Sequence, residues 1–157
     1  MLESLKSVFT EIDEALSGIN VALTKRYDVL TKMIDVVKAY AKNEKETLFE
    51  VIKLRDDMSI KERNEANRAM DENIKKINIV AENYPELKSS ENYKTLQKSI
   101  ADVEEHLQDA RRLYNSKVSS YNQLIVSFPT SCIAKNKGMT KKDFFETDDV
   151  KKRGCKN

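Results

Sequence analysis

His106 is the only histidine in the chain, so any histidine chemistry must be built on it. A helical bundle that binds two irons needs two Glu-x-x-His pairs on facing helices plus two further glutamates. Here Val103 stands three residues before His106, and Glu104 and Glu105 flank it on a charged face. A serine or cysteine nucleophile would need the same imidazole positioned beside it by a third group, and no such set can be written. A solvated helix residue is the expectation. Cys132 and Cys155 have neither C-x-x-C spacing nor histidine companions and read as free thiols. Gly18, Gly138 and Gly154 lie too far apart for a phosphate-cradling loop. No catalytic residue, metal ligand or cofactor is expected, and the chain reads as a non-enzyme.

Arg26 is the charged residue whose position says most. It interrupts an apolar stripe, where a guanidinium needs either a partner or an escape of its head to water. If three helical legs of equal height stand side by side, Asp56, Asp57, Arg111 and Arg112 fall level with it. The expectation is a mid-bundle ionic layer of Arg26, Asp56, Asp57 and Arg112; the alternative is a snorkelling Arg26. Six tyrosines could offer stacking surfaces for bases, but four fall on apolar stripes, where packing with the hydroxyl at the rim explains them better.

The elements that position these residues follow from spacing. Leu2, Leu5, Phe9, Ile12, Leu16, Ile19 and Leu23, then Leu30, Met33, Val37 and Tyr40, recur every three or four residues. So do Tyr93, Leu96, Ile100, Val103, Leu107, Ala110 and Tyr114, then Tyr121, Leu124 and Phe128. That period keeps one stripe on one side of a helix, as a bundle seam requires. The first helix is predicted over about 2 to 41, with Gly18 inside it. Asn43 with Glu46, and Ser59 with Glu62, have the logic of capping boxes, predicting helices near 44 to 57 and 60 to 84. Pro85 ends the second of these, and the last long helix runs from about 90 to 127, stopped by Pro129. At 1.5 Å per residue these give three legs of about 60 Å. The predicted fold is an all-α, elongated, antiparallel up-down bundle of about four helices, two long and a middle leg broken into two. A squatter bundle with bent long helices is the alternative.

Only 3 Gly, 2 Pro and no Trp occur, and 34% of residues are charged, which suits such a bundle. The formal charge is +2, yet residues 133 to 157 hold eight Lys/Arg against four Asp/Glu, leaving the remainder near −2. We therefore divide the chain into a bundle over 1–130 and a basic tail over 131–157, partly ordered near 141–146. Such a tail could touch anionic lipid, although a solvated end is the simpler reading. No nucleic-acid partner is expected. No stretch approaches the ~20 apolar residues of a membrane span, so the chain as written reads as soluble.

Three blocks of residues stand out in order along the chain. The first is Lys25-Arg26-Tyr27-Asp28-Val29-Leu30 with Val36 to Leu48 and Arg55; the second is Tyr84-Pro85-Glu86-Leu87-Lys88 with Glu91-Asn92-Tyr93 and Leu96-Gln97. The third is Ala110-Arg111-Arg112-Leu113-Tyr114-Asn115, Tyr121-Asn122, Ser127-Phe128-Pro129-Thr130 and Phe144-Phe145-Glu146. Together these blocks resemble the LemA family, and the resemblance implies a bacterial helical bundle behind one N-terminal transmembrane helix, usually placed on the cytoplasmic side, with undefined biochemical activity and, in some relatives, an association with magnetosome membranes. Here Met1 opens directly on the bundle, so the family-typical N-terminal helix is expected to be absent from this chain, which is then either a trimmed form or an unanchored member. The family's Leu-Ile-Pro-Asn-Leu pattern reads Leu30-Thr31-Lys32-Met33-Ile34, which predicts a straighter first helix. The expected function is a noncatalytic protein-interaction or scaffolding domain at the bacterial cell membrane; a membrane-surface module for anionic lipid is the alternative. Tyr27, Asp28, Lys38, Glu44 and Lys45 are the candidate partner surface, although Glu44 with Asn43 and Glu46 also suits a helix start.

Overall fold

The computed structural model describes residues 2–41, 49, 52–127 and 130–146. The described residues form an all-α bundle of α1 (Leu2–Tyr40), α2 (Ile60–Asn83), α3 (Pro85–Ser89), α4 (Glu91–Val126) and α5 (Thr130–Asn136). The stripes read from the sequence face inward: Leu5, Ile12, Ile19, Leu23, Leu30, Met33 and Val37 on α1 are buried, as are Tyr93, Ile100, Leu107, Tyr114 and Tyr121 on α4. Tyr40 ends its stripe exposed.

The register is set by four contacts between α1 and α4. Arg26 meets Glu104 at 3.1 Å, Gly18 faces Ala110, Glu11 pairs with Lys117 at 3.3 Å, and the rings of Phe9 and Tyr121 meet edge-on at 5.2 Å. As α1 rises, its partners on α4 fall in number, so the two long helices are antiparallel. By contrast, α2 runs parallel to α1, because Arg63 reaches Asn20 while Asn67 and Asp71 reach Arg26. The last long helix therefore descends where three alternating legs would have it rise.

This direction explains what happens to the middle leg. To start α2 at the level of Asn20, the chain must return about 32 Å from Ala41. Residues 52–59 are not helical, which corrects the expected helix over 44 to 57; the other residues of that stretch, apart from Phe49, lie outside the described residues, as does the Asn43 cap. Leu54 packs against both core clusters. The buried Arg63 guanidinium donates to the carbonyls of Asp56 and Met58 and so holds the connection against the bundle. Desolvation lowers the Arg63 pKa.

Ser59 begins α2 with the anticipated capping box: its hydroxyl accepts from the Glu62 amide while Glu62 accepts from the Ser59 amide. That amide holds the Glu62 carboxyl below its usual range. Pro85 stops α2 and starts the single turn of α3. Ser90 caps α4 by accepting from the Tyr93 amide. Pro129 lies outside the described residues.

Helix lengths decide how the core is closed. α1 and α4 are about 58 and 54 Å long, whereas the 24 residues of α2 cover only about 36 Å. In the upper part, toward the C-terminal end of α1, Leu30, Met33 and Val37 pack with Met70, Ile77, Val80 and Leu87. In the lower part, Ile12, Ile19, Tyr114, Val118 and Tyr121 pack around Phe145, which is fully buried. Seven extended residues span about 23 Å, close to the length that α2 leaves uncovered. Residues 140–146, within the tail expected over 131–157 with partial order near 141–146, are packed as a strap against the lower half of the bundle. Residues 147–157, including Cys155, lie outside the described residues.

Candidate functional site

Arg26 is 4% exposed on the central turn of α1. Its guanidinium donates to Asn67 Oδ1 at 2.5 Å, to Asp71 Oδ1 at 2.5 Å and to Glu104 Oε1 at 3.1 Å. An ionic layer exists, but with other partners than the sequence suggested. Asp57 pairs at the surface with Arg55 at 3.7 Å, Asp56 offers only its carbonyl to Arg63, and Arg112 pairs at the surface with Asp109 at 3.6 Å. The error follows from direction: heights were assigned to alternating legs, whereas a parallel α2 brings residues 67 and 71 to Arg26, and a descending α4 brings residue 104. Nε of Arg26 is buried without an acceptor among the described residues. The layer joins α1, α2 and α4 through one guanidinium.

The candidate partner surface is only partly assembled. Asp28 and Lys38 are exposed on α1, while Tyr27 is half-buried and packs against the upper core. Glu44 and Lys45 lie outside the described residues. Tyr27 and Asp28 do line one side of a surface cleft of about 300 Å³, closed on the other side by Lys53, Arg55, Asp56 and Arg63. His106 is exposed on α4, and Cys132 is exposed on α5. Among the described residues no group of three His, Cys, Asp or Glu side chains could hold a metal ion, and no helix is long and apolar enough to cross a membrane.

A second constellation holds the strap. Asn122 donates to the Lys142 carbonyl at 3.2 Å and accepts from the Lys142 amide at 2.9 Å. Asn115 does the same with both main-chain groups of Phe145, each at 2.9 Å. From α2, the buried Asn64 donates to the Phe144 carbonyl and accepts from the Glu146 amide. The hydroxyls of Tyr121 and Tyr114 donate to the carbonyls of Thr140 and Asp143. Burial, with the nearby Asp143 carboxylate adding to it, pushes the Tyr114 phenol up to about 12; burial raises Tyr121 as well.

This arrangement has a simple metric. Tyr114-Asn115 and Tyr121-Asn122 form one dipeptide repeated after seven residues, or about 10.5 Å of helix. Their main-chain targets are three residues apart, 143 from 140 and 145 from 142, or about 10 Å of extended chain. One helical heptad therefore matches three residues of strap, so the same contact can be made twice.

The sequence reading placed these tyrosines on the seam and left the asparagines unused. A signal was available. Asparagine is a poor helix-interior residue because its side chain competes for nearby backbone groups. Yet Asn64, Asn67 and Asn73 are buried on α2, and Asn115 and Asn122 repeat on α4. Helical asparagines directed toward a core announce main-chain or ionic partners there.

Comparison with known proteins agrees with the resemblance carried by the Lys25–Leu30, Tyr84–Lys88 and Ala110–Asn122 blocks. The pattern of the LemA family matches residues 15–156. Among individual relatives, Protein LemA of Metamycoplasma hominis is 29% identical over 147 residues, covering 90% of this chain and 67% of that protein. Magnetosome protein MamQ of Magnetospirillum gryphiswaldense is 27% identical over 66 residues, 42% of this chain and 24% of that relative. With the family pattern running through α1, α2, α4 and the strap alike, the chain belongs to the LemA family.

Proposed function

We propose that this domain is a noncatalytic protein-interaction or scaffolding module working at the bacterial cell membrane, on its cytoplasmic side. The observation that carries the reading is the cleft beside α1, where Tyr27 and Asp28 stand opposite Lys53, Arg55 and Asp56 at the surface. Mixed charge around a half-buried aromatic ring fits a protein partner's side chains. Asp28 and Lys38 extend the same helix outward. Placement at the membrane draws on family membership and on the relative named as a magnetosome protein.

Photo-cross-linkers placed at Asp28 and at Lys38, with the exposed Leu113 of α4 as control, test the surface in native bacterial membranes. A partner adduct of one size from the two α1 sites and none from the control is expected. Equal adducts from all three sites, or none, would remove this surface from consideration.

Anionic-lipid binding is the second reading, favoured by the run Lys151-Lys152-Arg153. Deleting residues 147–157 spares the packed strap. Loss of co-sedimentation with phosphatidylglycerol vesicles on that deletion would support it, and failure of both forms to sediment would exclude it.

A further inference from the structure

The strap is held as a peptide ligand is held. Its bonds to the helices described above run from strap main chain to helix side chains, so releasing it breaks none of the backbone bonds within α1, α2 or α4. Asparagine amides reading both main-chain groups of a residue accept any extended sequence, much as a sheet edge does when it receives an added strand. Only two strap side chains are selected. Phe145 is fully buried in the lower core, and Lys142 Nζ sits 4.8 Å from the Phe9 ring centre and 5.4 Å from that of Tyr121. The segment joins α5 through exposed residues 135–138, where Gly138 adopts a φ of +69°. Beside the strap a cleft of about 320 Å³, lined in part by Asp13, Ser59, Lys141 and Asp143, leaves its flank open to approach.

We propose that the groove between α1, α2 and α4 is a receptor site for an extended peptide of a partner protein carrying a lysine and, three residues later, a phenylalanine. The chain's own 140–146 segment is the resident occupant that such a peptide displaces. This rests on the interaction reading and gives it a second, separate site. The resident segment acts at a high effective concentration because it is tethered, so the groove is read best once the tethered copy is weakened.

The test uses the full chain carrying Phe145→Ala and a fluorescein-labelled peptide with the sequence of residues 139–147. Saturable one-to-one binding is expected, at least tenfold tighter than to the unsubstituted chain. Adding Asn115→Ala to the chain, or placing alanine at the Phe145 position of the peptide, should weaken it at least tenfold. As a check independent of that variant's folding, a protease site placed at Lys137–Gly138 is cut after folding, and the nicked segment should exchange for the labelled peptide. Absence of peptide binding in both formats while circular dichroism still reports the helices overturns the proposal, and so does equal binding of the alanine-bearing peptide. Cross-linking at Asp28 and Lys38 addresses a different surface, so failure here and failure there are distinguishable.

Discussion

The upper half of the α1–α4 pair is closed by a helix, and the lower half by a strap of seven residues. Above the Arg26 layer, α2 supplies apolar side chains at helical spacing, and the contact is one of packed stripes. Below it, the strap supplies one buried phenylalanine, and the rest of its grip comes from asparagine and tyrosine side chains on main-chain groups. The first kind of contact is selective for side-chain shape along its whole length. The second is nearly indifferent to sequence except at two positions. A protein that exchanges partners would be expected to keep its variable contact in the second kind of region, and its permanent one in the first.

The largest effect should come from removing the single apolar anchor of the lower half. Phe145→Ala is expected to cost about 3–5 kcal/mol in denaturant unfolding, as for other buried phenylalanines. A cost below about 1 kcal/mol would show that the strap contributes little to the lower core. Cutting the boundary between the halves comes next. Arg26→Leu leaves Asn67 and the partly exposed Asp71 and Glu104 without their guanidinium, and about 2–3 kcal/mol should be lost after discounting for solvent. Arg112→Leu, at a surface pair, should change the melting temperature negligibly.

Alkaline titration reaches the lower half by a different lever. Because the folded Tyr114 phenol titrates near 12 and the unfolded one near 10, its contribution is complete below pH 10. It is then lost as pH rises toward 12, by on the order of 2 kcal/mol. Tyr114→Phe should flatten that part of the stability profile, and an unchanged alkaline slope would contradict the burial of this hydroxyl under the strap. One substitution should give a small gain. A Cβ at Gly18 would stand 3.9 Å from Ala110 Cβ, an ordinary contact, so Gly18→Ala should add about 0.5–1 kcal/mol through helix propensity.

How much of this could be read beforehand depends on the kind of signal. Apolar stripes marked the long helices to within a few residues, and Ser59, Glu62 and Pro85 marked the ends of α2, because periodicity and capping are local properties. Leg direction is not local. An 18-residue connection over 42–59 suits a helix or an extended return equally well, and the wrong choice misplaced every expected partner of Arg26. Of the strap only partial order near 141–146 was legible, because its sequence is charged and aperiodic: its fixation resides in Asn64, Asn115 and Asn122 on other elements, whose side chains the sequence reading left unused. Tyr114 and Tyr121 were correctly placed on the seam, but their hydroxyls serve a segment that the seam itself does not reveal.

Native-state amide hydrogen exchange at Lys142 and Phe145 bears most directly on the claim that the strap is the third leg of the lower half. Protection of both amides by at least a hundredfold over an unstructured peptide is predicted, reduced at Phe145 by Asn115→Ala and at Lys142 by Asn122→Ala. Exchange at the unstructured rate at both positions, in a chain whose α1 and α4 amides remain protected, would contradict it.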